Sequence, residues 1–255
     1  MLEMSVTKNQ LFTILTATTF VAVYFLFSIA TPPRLEFRDR TFPPGFRDLV
    51  LDGASSLFDP LFGMQRVPLV DDGSKQAQQQ VCDALFRDPN SPAVGNRDSG
   101  VHIVAFLDYR CPYCKKLTNI LAKMQADNVR IVWKEWPILG DSSLLVARAA
   151  LAADKQGKYL AFHTRLMNSR LIPTSAYIEE IAVALGLNQS QLRTDMNSAA
   201  TTLAIQHTSG LASALGLLGT PALVVGRTIV QGEITQSQLE RLIENERHLQ
   251  SPKVC

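Results

Sequence analysis

The stretch DYRCPYCKKL, residues 108–117, decides the interpretation of this 255-residue chain. Its two cysteines, Cys111 and Cys114, are separated by Pro112 and Tyr113. A cysteine pair with this spacing occurs in metal sites, in structural disulfides and in redox centres. The residues around the pair indicate which of these three roles it has.

A metal site and a structural disulfide both fit the pair poorly. A closed zinc site needs four ligands, usually two cysteine pairs or one pair with histidines. The only histidine near the pair in sequence is His102, in the predicted strand before it, and we therefore predict no metal. A disulfide that spans two residues would remove little entropy from the unfolded chain, so it would add little stability.

A redox role follows from the predicted position of the pair at the start of a helix. Residues 101–107 (VHIVAFL) form an apolar run typical of a buried central strand, and a helix is predicted over about 111–126. Unpaired amides and the macrodipole at a helix N-terminus stabilise a thiolate. Cys111 is therefore predicted to be the exposed nucleophile and Cys114, one turn later, the more buried resolving cysteine. Pro112 supplies a fixed φ at the first helical position.

The rest of the pattern predicts a β-α-β unit, a block of helices and a β-β-α unit. Residues 129–136 (VRIVWKEW) form the second strand, and helices cover about 141–217, with caps at Asp141 or Ser142 and at Thr174 and a break at Gly210. Two short β-rich runs, 222–225 and 228–230, predict a hairpin. The sequence Thr235-x-x-Gln238 is a capping box for the final helix.

This arrangement resembles the DsbA family over about residues 80–250. The resemblance is carried by CPYC at a strand–helix junction, by WPILGDSS at 136–143 and by GTPALVVG at 219–226. It implies an α/β thioredoxin fold with a helical insertion over about 141–217, and a thiol–disulfide oxidoreductase that needs no cofactor. It also implies that Pro221 is a cis proline, that the Thr220 backbone pairs with a bound peptide strand, and that Tyr113 tunes the thiolate.

The sequence departs from this family at one position. Thioredoxin-like enzymes often carry a buried acid six residues before the first cysteine, and here that residue is Ala105. Asp108 and Glu135 are the candidates to accept the proton of Cys114 instead, although Glu135 could equally be a solvated residue at a strand end. His163 lies in a predicted helix and is interpreted as a structural or surface residue.

The favoured function is to introduce disulfides into exported proteins. The substrates would be reduced, unfolded chains, and the redox partner a membrane reoxidase of the DsbB type or a reductant. A reductase or isomerase of the same fold is an alternative, as are a chaperone that carries Cu(I) on the CxxC and a noncatalytic substrate-binding module. The formal net charge of +2 indicates no nucleic-acid partner.

The N-terminal part predicts attachment to a lipid bilayer. Residues 11–30 (LFTILTATTFVAVYFLFSIA) carry no charge and are long enough for a hydrocarbon core of about 30 Å. We interpret residues 1–31 as an inner-membrane anchor with the catalytic domain in the periplasm, or as a signal segment cleaved near Ala30. Residues 32–95 are interpreted as a tether with short helices, one of them around 45–57, and residues 96–250 as the DsbA-like domain.

The two remaining cysteines, Cys82 and Cys255, are candidates for a second disulfide. Closing so long a loop would add roughly 4–5 kcal/mol in the chain-entropy model. Free or intermolecular thiols are the alternative, because chain termini tend to fray.

Overall fold

The structure, a computed structural model, describes residues 34–51, 75–124, 128–169 and 173–249. These ranges contain seven strands: β1 (Glu36–Asp39), β2 (Arg47–Val50), β3 (Ala93–Val94), β4 (Val101–Leu107), β5 (Val129–Glu135), β6 (Ala222–Val225) and β7 (Thr228–Gln231). They also contain eight α-helices: α1 (Lys75–Cys82), α2 (Pro112–Met124), α3 (Asp141–Asp154), α4 (Tyr159–Met167), α5 (Ser175–Ala184), α6 (Gln189–Met196), α7 (Ala199–Ala214) and α8 (Gln236–His248). A π-helical turn over Asp83–Arg87 follows α1.

All seven strands form one mixed sheet in the order β1-β2-β7-β6-β4-β5-β3. Strand β4 lies in its centre, parallel to β5 and antiparallel to β6. The hairpin of β6 and β7 turns at residues 226–227, as the sequence predicts. The β-α-β and β-β-α units therefore share one sheet, and the predicted thioredoxin-like α/β fold is confirmed.

The central strand owes its position to its composition. Every residue of β4 except His102 is buried. On one face of the sheet, Val104 and Phe106 of β4 pack in a single core with Val132 and Trp136. A strand covered on both faces needs apolar residues at successive positions rather than at alternate ones, and this is the pattern of VHIVAFL.

Strands occupy part of the segment for which the sequence predicts a helical tether. In β2, Arg47 and Leu49 are buried while Val50 is exposed, and this two-residue alternation is that of a strand. The helix predicted around 45–57 is therefore wrong for the described part, and residues 52–57 lie outside the described ranges. The sheet begins at Glu36, upstream of the domain boundary predicted at residue 96.

The predicted membrane segment, residues 11–30, also lies outside the described ranges. Within those ranges, no helix is both long enough and apolar enough to cross a bilayer.

The helical insertion is largely as predicted, with two local differences. Helix α3 begins at Asp141 and has Gly140 at its N-cap, so neither Asp141 nor Ser142 caps it. Thr174 caps α5 by accepting a hydrogen bond from the amide of Tyr177. The chain breaks not at Gly210, which lies within α7, but before it, where Ser198 caps α7. The Ser198 hydroxyl accepts a hydrogen bond from the Thr201 amide at 3.2 Å. Such a side-chain bond competes with the backbone hydrogen bonds of a continuous helix, and the helix break therefore lies at Ser198 and not at Gly210.

A buried arginine on β2 links the two N-terminal strands to β7 and α8. The Arg47 guanidinium lies 2.8 Å from the Glu246 carboxylate on α8 and 2.8 Å from the Thr228 hydroxyl on β7. Its Cζ lies 3.6 Å from the centroid of the Phe37 ring on β1. Because Arg47 and Glu246 are 9% and 6% exposed at their side chains, each charge depends on the other for compensation.

We therefore expect Glu246→Gln to lower the free energy of unfolding by about 3 kcal/mol, because the variant leaves the Arg47 charge buried without its partner. Urea denaturation of the purified protein measures this loss. Glu244→Gln is the matched control on the same helix, since Glu244 is 54% exposed beside Arg247. This control should cost less than about 0.5 kcal/mol, and equal losses in the two variants would contradict the anchoring role.

Candidate active site

The cysteine pair lies where the central strand gives way to α2. Strand β4 ends at Leu107, and α2 begins at Pro112, so Cys111 is the residue that caps the helix. The Cys111 amide donates to the Asp108 carbonyl at 3.1 Å, and the Cys111 carbonyl accepts the Cys114 amide at 3.1 Å. Both thiols are free. The predicted strand–CxxC–helix junction is therefore confirmed.

The predicted cis-proline loop faces the first cysteine. The Thr220–Pro221 peptide bond is cis, and Sγ of Cys111 donates to the Thr220 carbonyl oxygen at 3.2 Å. Since a proline nitrogen carries no hydrogen, Pro221 presents no competing donor to the sulfur. This contact covers Cys111, which is 4% exposed rather than open as predicted, whereas Cys114 is fully buried.

The two thiols differ strongly in acidity. A hydrogen bond from the Cys114 thiol, supported by the amides of Cys114 and Tyr113, lowers the pKa of Cys111 to about 6 although burial opposes the shift. Burial raises the pKa of Cys114, and the neighbouring Cys111 raises it further. At neutral pH the pair therefore holds its negative charge on Cys111.

Asp108 holds the loops around the pair. Its buried carboxylate accepts hydrogen bonds from the amides of Arg110, Ile138 and Leu139 at 2.7, 2.8 and 3.0 Å, and from the Ser143 hydroxyl at 2.7 Å. Four donors occupy the acceptor positions of this carboxylate. The geometry therefore favours a positioning role over the predicted role as proton acceptor.

Glu135, the other predicted proton acceptor, ends β5 and is 3% exposed, so it is not a solvated residue. Its Oε1 accepts from the Tyr109 hydroxyl at 2.8 Å and from the Tyr159 hydroxyl at 2.6 Å. His163 completes this group, with Nδ1 3.8 Å from Oε1 of Glu135. The sequence contains one signal for this cluster, which is the spacing of four residues between Tyr159 and His163 on α4.

The residues between the two cysteines are open to solvent. Pro112 is exposed, and the Tyr113 side chain is 48% exposed. The ammonium group of Lys116 lies 5.1 Å from the centroid of the Tyr113 ring and 2.9 Å from the Glu233 carboxylate. Tyr113 is thus an exposed side chain next to both cysteines and in contact with Lys116.

The second predicted disulfide would join Cys82 and Cys255. Cys82 is fully buried at the end of α1 and is disulfide-bonded. Cys255 lies outside the described residues. The pairing of these two residues stays a prediction.

Comparison with known proteins gives the same picture. The model of the DSBA-like thioredoxin domain matches residues 102–244. A thioredoxin-like oxidoreductase from Silicibacter pomeroyi DSS-3 is 43% identical, with a TM-score of 0.62 over 65% of this chain and 97% of that one. A periplasmic thioredoxin-like protein from Salmonella enterica serovar Typhimurium is 31% identical, with a TM-score of 0.61 over 66% of this chain and 97% of that one.

Among curated proteins, the chain is similar to a part of a much longer one. It is 32% identical over 85 residues to Na(+)/H(+) antiporter NhaA 3 of Salinispora tropica. The match covers 31% of this chain but only 13% of the antiporter.

A sheet centred on β4, with a free CxxC at the start of α2 and a cis proline opposite it, defines a thioredoxin-fold thiol–disulfide oxidoreductase. Within that class, the chain belongs to the DSBA-like thioredoxin domain family, whose model spans more than half of it.

Because the pKa of Cys111 is lowered to about 6, its alkylation by iodoacetamide should approach full speed well below the pKa of a free thiol, about 8.5. The rate should rise with pH and reach half its maximum near pH 6, since only the thiolate reacts. Stopped-flow absorbance of the thiolate provides an independent midpoint. Cys111→Ser is the control, in which this phase should be absent, and a midpoint near 8.5 in the native protein would contradict the assignment.

Proposed function

We propose that this protein introduces disulfides into exported proteins. Cys111 acts as the nucleophilic sulfur and Cys114 as the resolving one. The single observation that carries the proposed direction is the contrast between the two thiols, with the pKa of Cys111 lowered to about 6 and that of Cys114 raised. A stabilised thiolate favours the reduced form of the enzyme, and this makes its disulfide a stronger oxidant.

In the proposed reaction a substrate thiolate attacks Sγ of Cys111. The bond between the two enzyme sulfurs breaks, and Cys114 leaves and takes up a proton. A second substrate thiolate then attacks the substrate sulfur of the mixed disulfide and expels Cys111 as a thiolate. The substrate loses two electrons and gains a disulfide, while the enzyme gains the two electrons. A membrane reoxidase of the DsbB type is the proposed acceptor of those electrons.

Two backbone features support binding of an extended substrate segment. The Thr220 carbonyl lies 3.2 Å from Sγ of Cys111, so a peptide that pairs with this loop would bring its own cysteine to that sulfur. Pro221 is buried beside it and fixes the loop. We assign Thr220 to substrate alignment and Pro221 to holding this loop against the pair.

An apolar rim supports unfolded chains as the substrate class. Large exposed hydrophobic side chains occur on three segments that surround the pair: Tyr113 (48% exposed), Leu139 (41%) and Leu218 (57%). Tyr113 is part of the motif, and Leu139 belongs to the loop that Asp108 holds. Leu218 lies two residues before Thr220. Three such side chains close to the pair favour partners that expose apolar side chains of their own.

The proposed location is the periplasmic side of the inner membrane. The apolar run at residues 11–30 supports an N-terminal anchor in the lipid bilayer, and the similar protein from Salmonella is described as periplasmic. Oxidising compartments of this kind allow disulfides to persist. We retain residues 1–31 as anchor or cleaved signal segment within this proposal.

The redox potential tests the direction. Equilibration of the protein with glutathione buffers, followed by trapping of the Cys111–Cys114 state, should give a midpoint between about −120 and −180 mV, the range of oxidases and isomerases. The variant Cys114→Ser cannot form the pair and controls for the other cysteines. A midpoint near −270 mV would indicate a thioredoxin-like reductase and would refute the oxidase assignment.

A substitution in the apolar rim tests the proposed substrate class. Leu218→Ser should raise KM for oxidation of a reduced, unfolded polypeptide by up to about 30-fold, because burial of one leucine side chain contributes about 2 kcal/mol. The rate with glutathione, which is too small to reach the rim, should stay unchanged. Leu203→Ser is the matched control, since Leu203 is 51% exposed on α7. Equal effects of the two variants on KM would show that the rim does not select substrates.

A further inference from the structure

A buried imidazole lies behind the active-site helix. His163 on α4 is completely buried. Its Nε2 lies 3.2 Å from the hydroxyl of Thr118, and Thr118 is on α2, four residues after Cys114. Side chains four residues apart on a helix are neighbours on one face. His163 therefore contacts the helix turn that follows the resolving cysteine.

The hydrogen bonds of this cluster define where its hydrogens lie. Burial raises the pKa of the Tyr109 and Tyr159 hydroxyls well above their usual value, so both keep their single hydrogen. An ionised carboxylate only accepts, and both hydroxyls therefore donate to Oε1 of Glu135, at 2.8 and 2.6 Å. Nδ1 of His163, 2.8 Å from the Tyr109 oxygen, must then carry a hydrogen and donate it.

This leaves Nε2 of His163 as the open position. In the neutral ring Nε2 accepts the hydrogen of the Thr118 hydroxyl, and in the charged ring it donates to the same oxygen, because a hydroxyl both donates and accepts. The cluster thus accepts one more proton by rotation of a single hydroxyl. No side chain has to move.

A carboxylate and three aromatic rings surround this imidazole. Oε1 of Glu135 lies 3.8 Å from Nδ1, and the second oxygen of Glu135 is buried without a hydrogen-bond partner. The ring centroids of Trp133, Tyr159 and Tyr109 lie 4.6, 5.2 and 5.3 Å from that of His163. Aromatic rings at such distances attract a cation.

The polar and titratable groups that contact His163 come from several elements of the fold. Glu135 comes from β5, Tyr109 from the loop between β4 and α2, Tyr159 from α4 itself, and α2 contributes the neutral Thr118. Within the described residues, Glu135 is the carboxylate within ion-pair distance of His163. The cluster therefore carries one negative charge when the ring is neutral and none when it is protonated.

We propose that His163 is a buried proton-binding site whose occupancy is coupled to the redox state of the Cys111–Cys114 pair, with Nε2 taking up a proton when the disulfide is reduced. The proposal rests on the proposed function, since it requires that the pair cycles between disulfide and dithiol. His163 contacts neither sulfur, so it is not a catalytic residue. Its proposed role is to place a positive charge behind the active-site helix when the disulfide is reduced.

The coupling follows from charge balance. Two substrate thiols lose two electrons and two protons when they form a disulfide, and the two electrons break the bond between Cys111 and Cys114. One proton ends on Sγ of Cys114, while Cys111 holds a new negative charge. That charge is attracted to a cation on His163, which contacts Thr118, seven residues after Cys111 in the chain, through a medium of low dielectric constant. The second proton therefore binds Nε2 of His163 instead of passing to solvent.

The pH dependence of the equilibrium between the full-length protein and glutathione tests this. Two glutathione thiols release two protons when they reduce the enzyme. If Cys114 alone takes up a proton, the equilibrium constant rises tenfold per pH unit, and if His163 takes up the second, it does not change. The window is about pH 6.5 to 8, above the pKa of Cys111 and below that of a free thiol.

For the native protein we expect an increase of threefold or less per pH unit within this window. His163→Gln keeps a polar group near Thr118 but cannot gain a proton, and its constant should rise tenfold per pH unit. Glu135→Gln keeps both tyrosine hydrogen bonds to Oε1 and removes the charge that favours the imidazolium. Its equilibrium constant should rise with pH as steeply as that of His163→Gln. Glu135→Gln thus tests the proposal if the histidine variant does not fold.

Tyr159→Phe is the matched control. It removes one hydrogen bond from the cluster but leaves both ionisable groups, so its pH dependence should follow that of the native protein. A tenfold rise per pH unit in the native protein, equal to that of both charge variants, overturns the proposal. A pair that never equilibrates with glutathione overturns the proposed function as well, whereas a midpoint near −270 mV affects only its direction.

Discussion

The geometry of the active site depends on one buried carboxylate. Asp108 follows the central strand, and its two oxygens accept four hydrogen bonds, from Arg110, Ile138, Leu139 and Ser143. These donors belong to three separate pieces of chain: the approach to Cys111, the loop after β5 and the first turn of α3. Because a buried carboxylate is costly unless its charge is hydrogen-bonded, none of these pieces can move away without leaving that charge unsatisfied. The backbone that carries the nucleophile is thus held in place by one buried side chain of the loop before it.

The sequence predicts the parts of this site that depend on local patterns. A continuous apolar run, a proline after the first cysteine and the capping box at Thr235 each act within a few residues, and all three have the predicted consequence. The edge strands are different, because β2 is stabilised by pairing with β7 and by the contact of Arg47 with Glu246, 199 residues later. No periodicity around Arg47 contains that information.

The cluster around His163 could be predicted from the sequence only in part, for a related reason. Glu135 at the end of a strand and His163 on a helix of the insertion have unremarkable neighbours in sequence. Their roles arise only because α4 packs against β5 and α2, which brings two tyrosines, a carboxylate and an imidazole within hydrogen-bonding distance. Glu135, a candidate for the role of the family acid that is absent at Ala105, thus belongs to a cluster that the insertion supplies in part. The insertion therefore contributes residues that contact the active-site helix.

The two edge strands of the sheet affect how readily the protein pairs with other chains. In the described part of the chain one margin is β1, whose Glu36, Arg38 and Asp39 are exposed, and the other is β3, which is only two residues long. Unfolded polypeptides seek strands with open hydrogen-bonding groups and readily aggregate on them, and both charge and shortness discourage such growth. Under the proposed function this hazard recurs, because the proposed substrates are unfolded chains. The described edges of the sheet offer such chains no long template, and this agrees with the proposal that a substrate pairs with the loop beside the sulfurs.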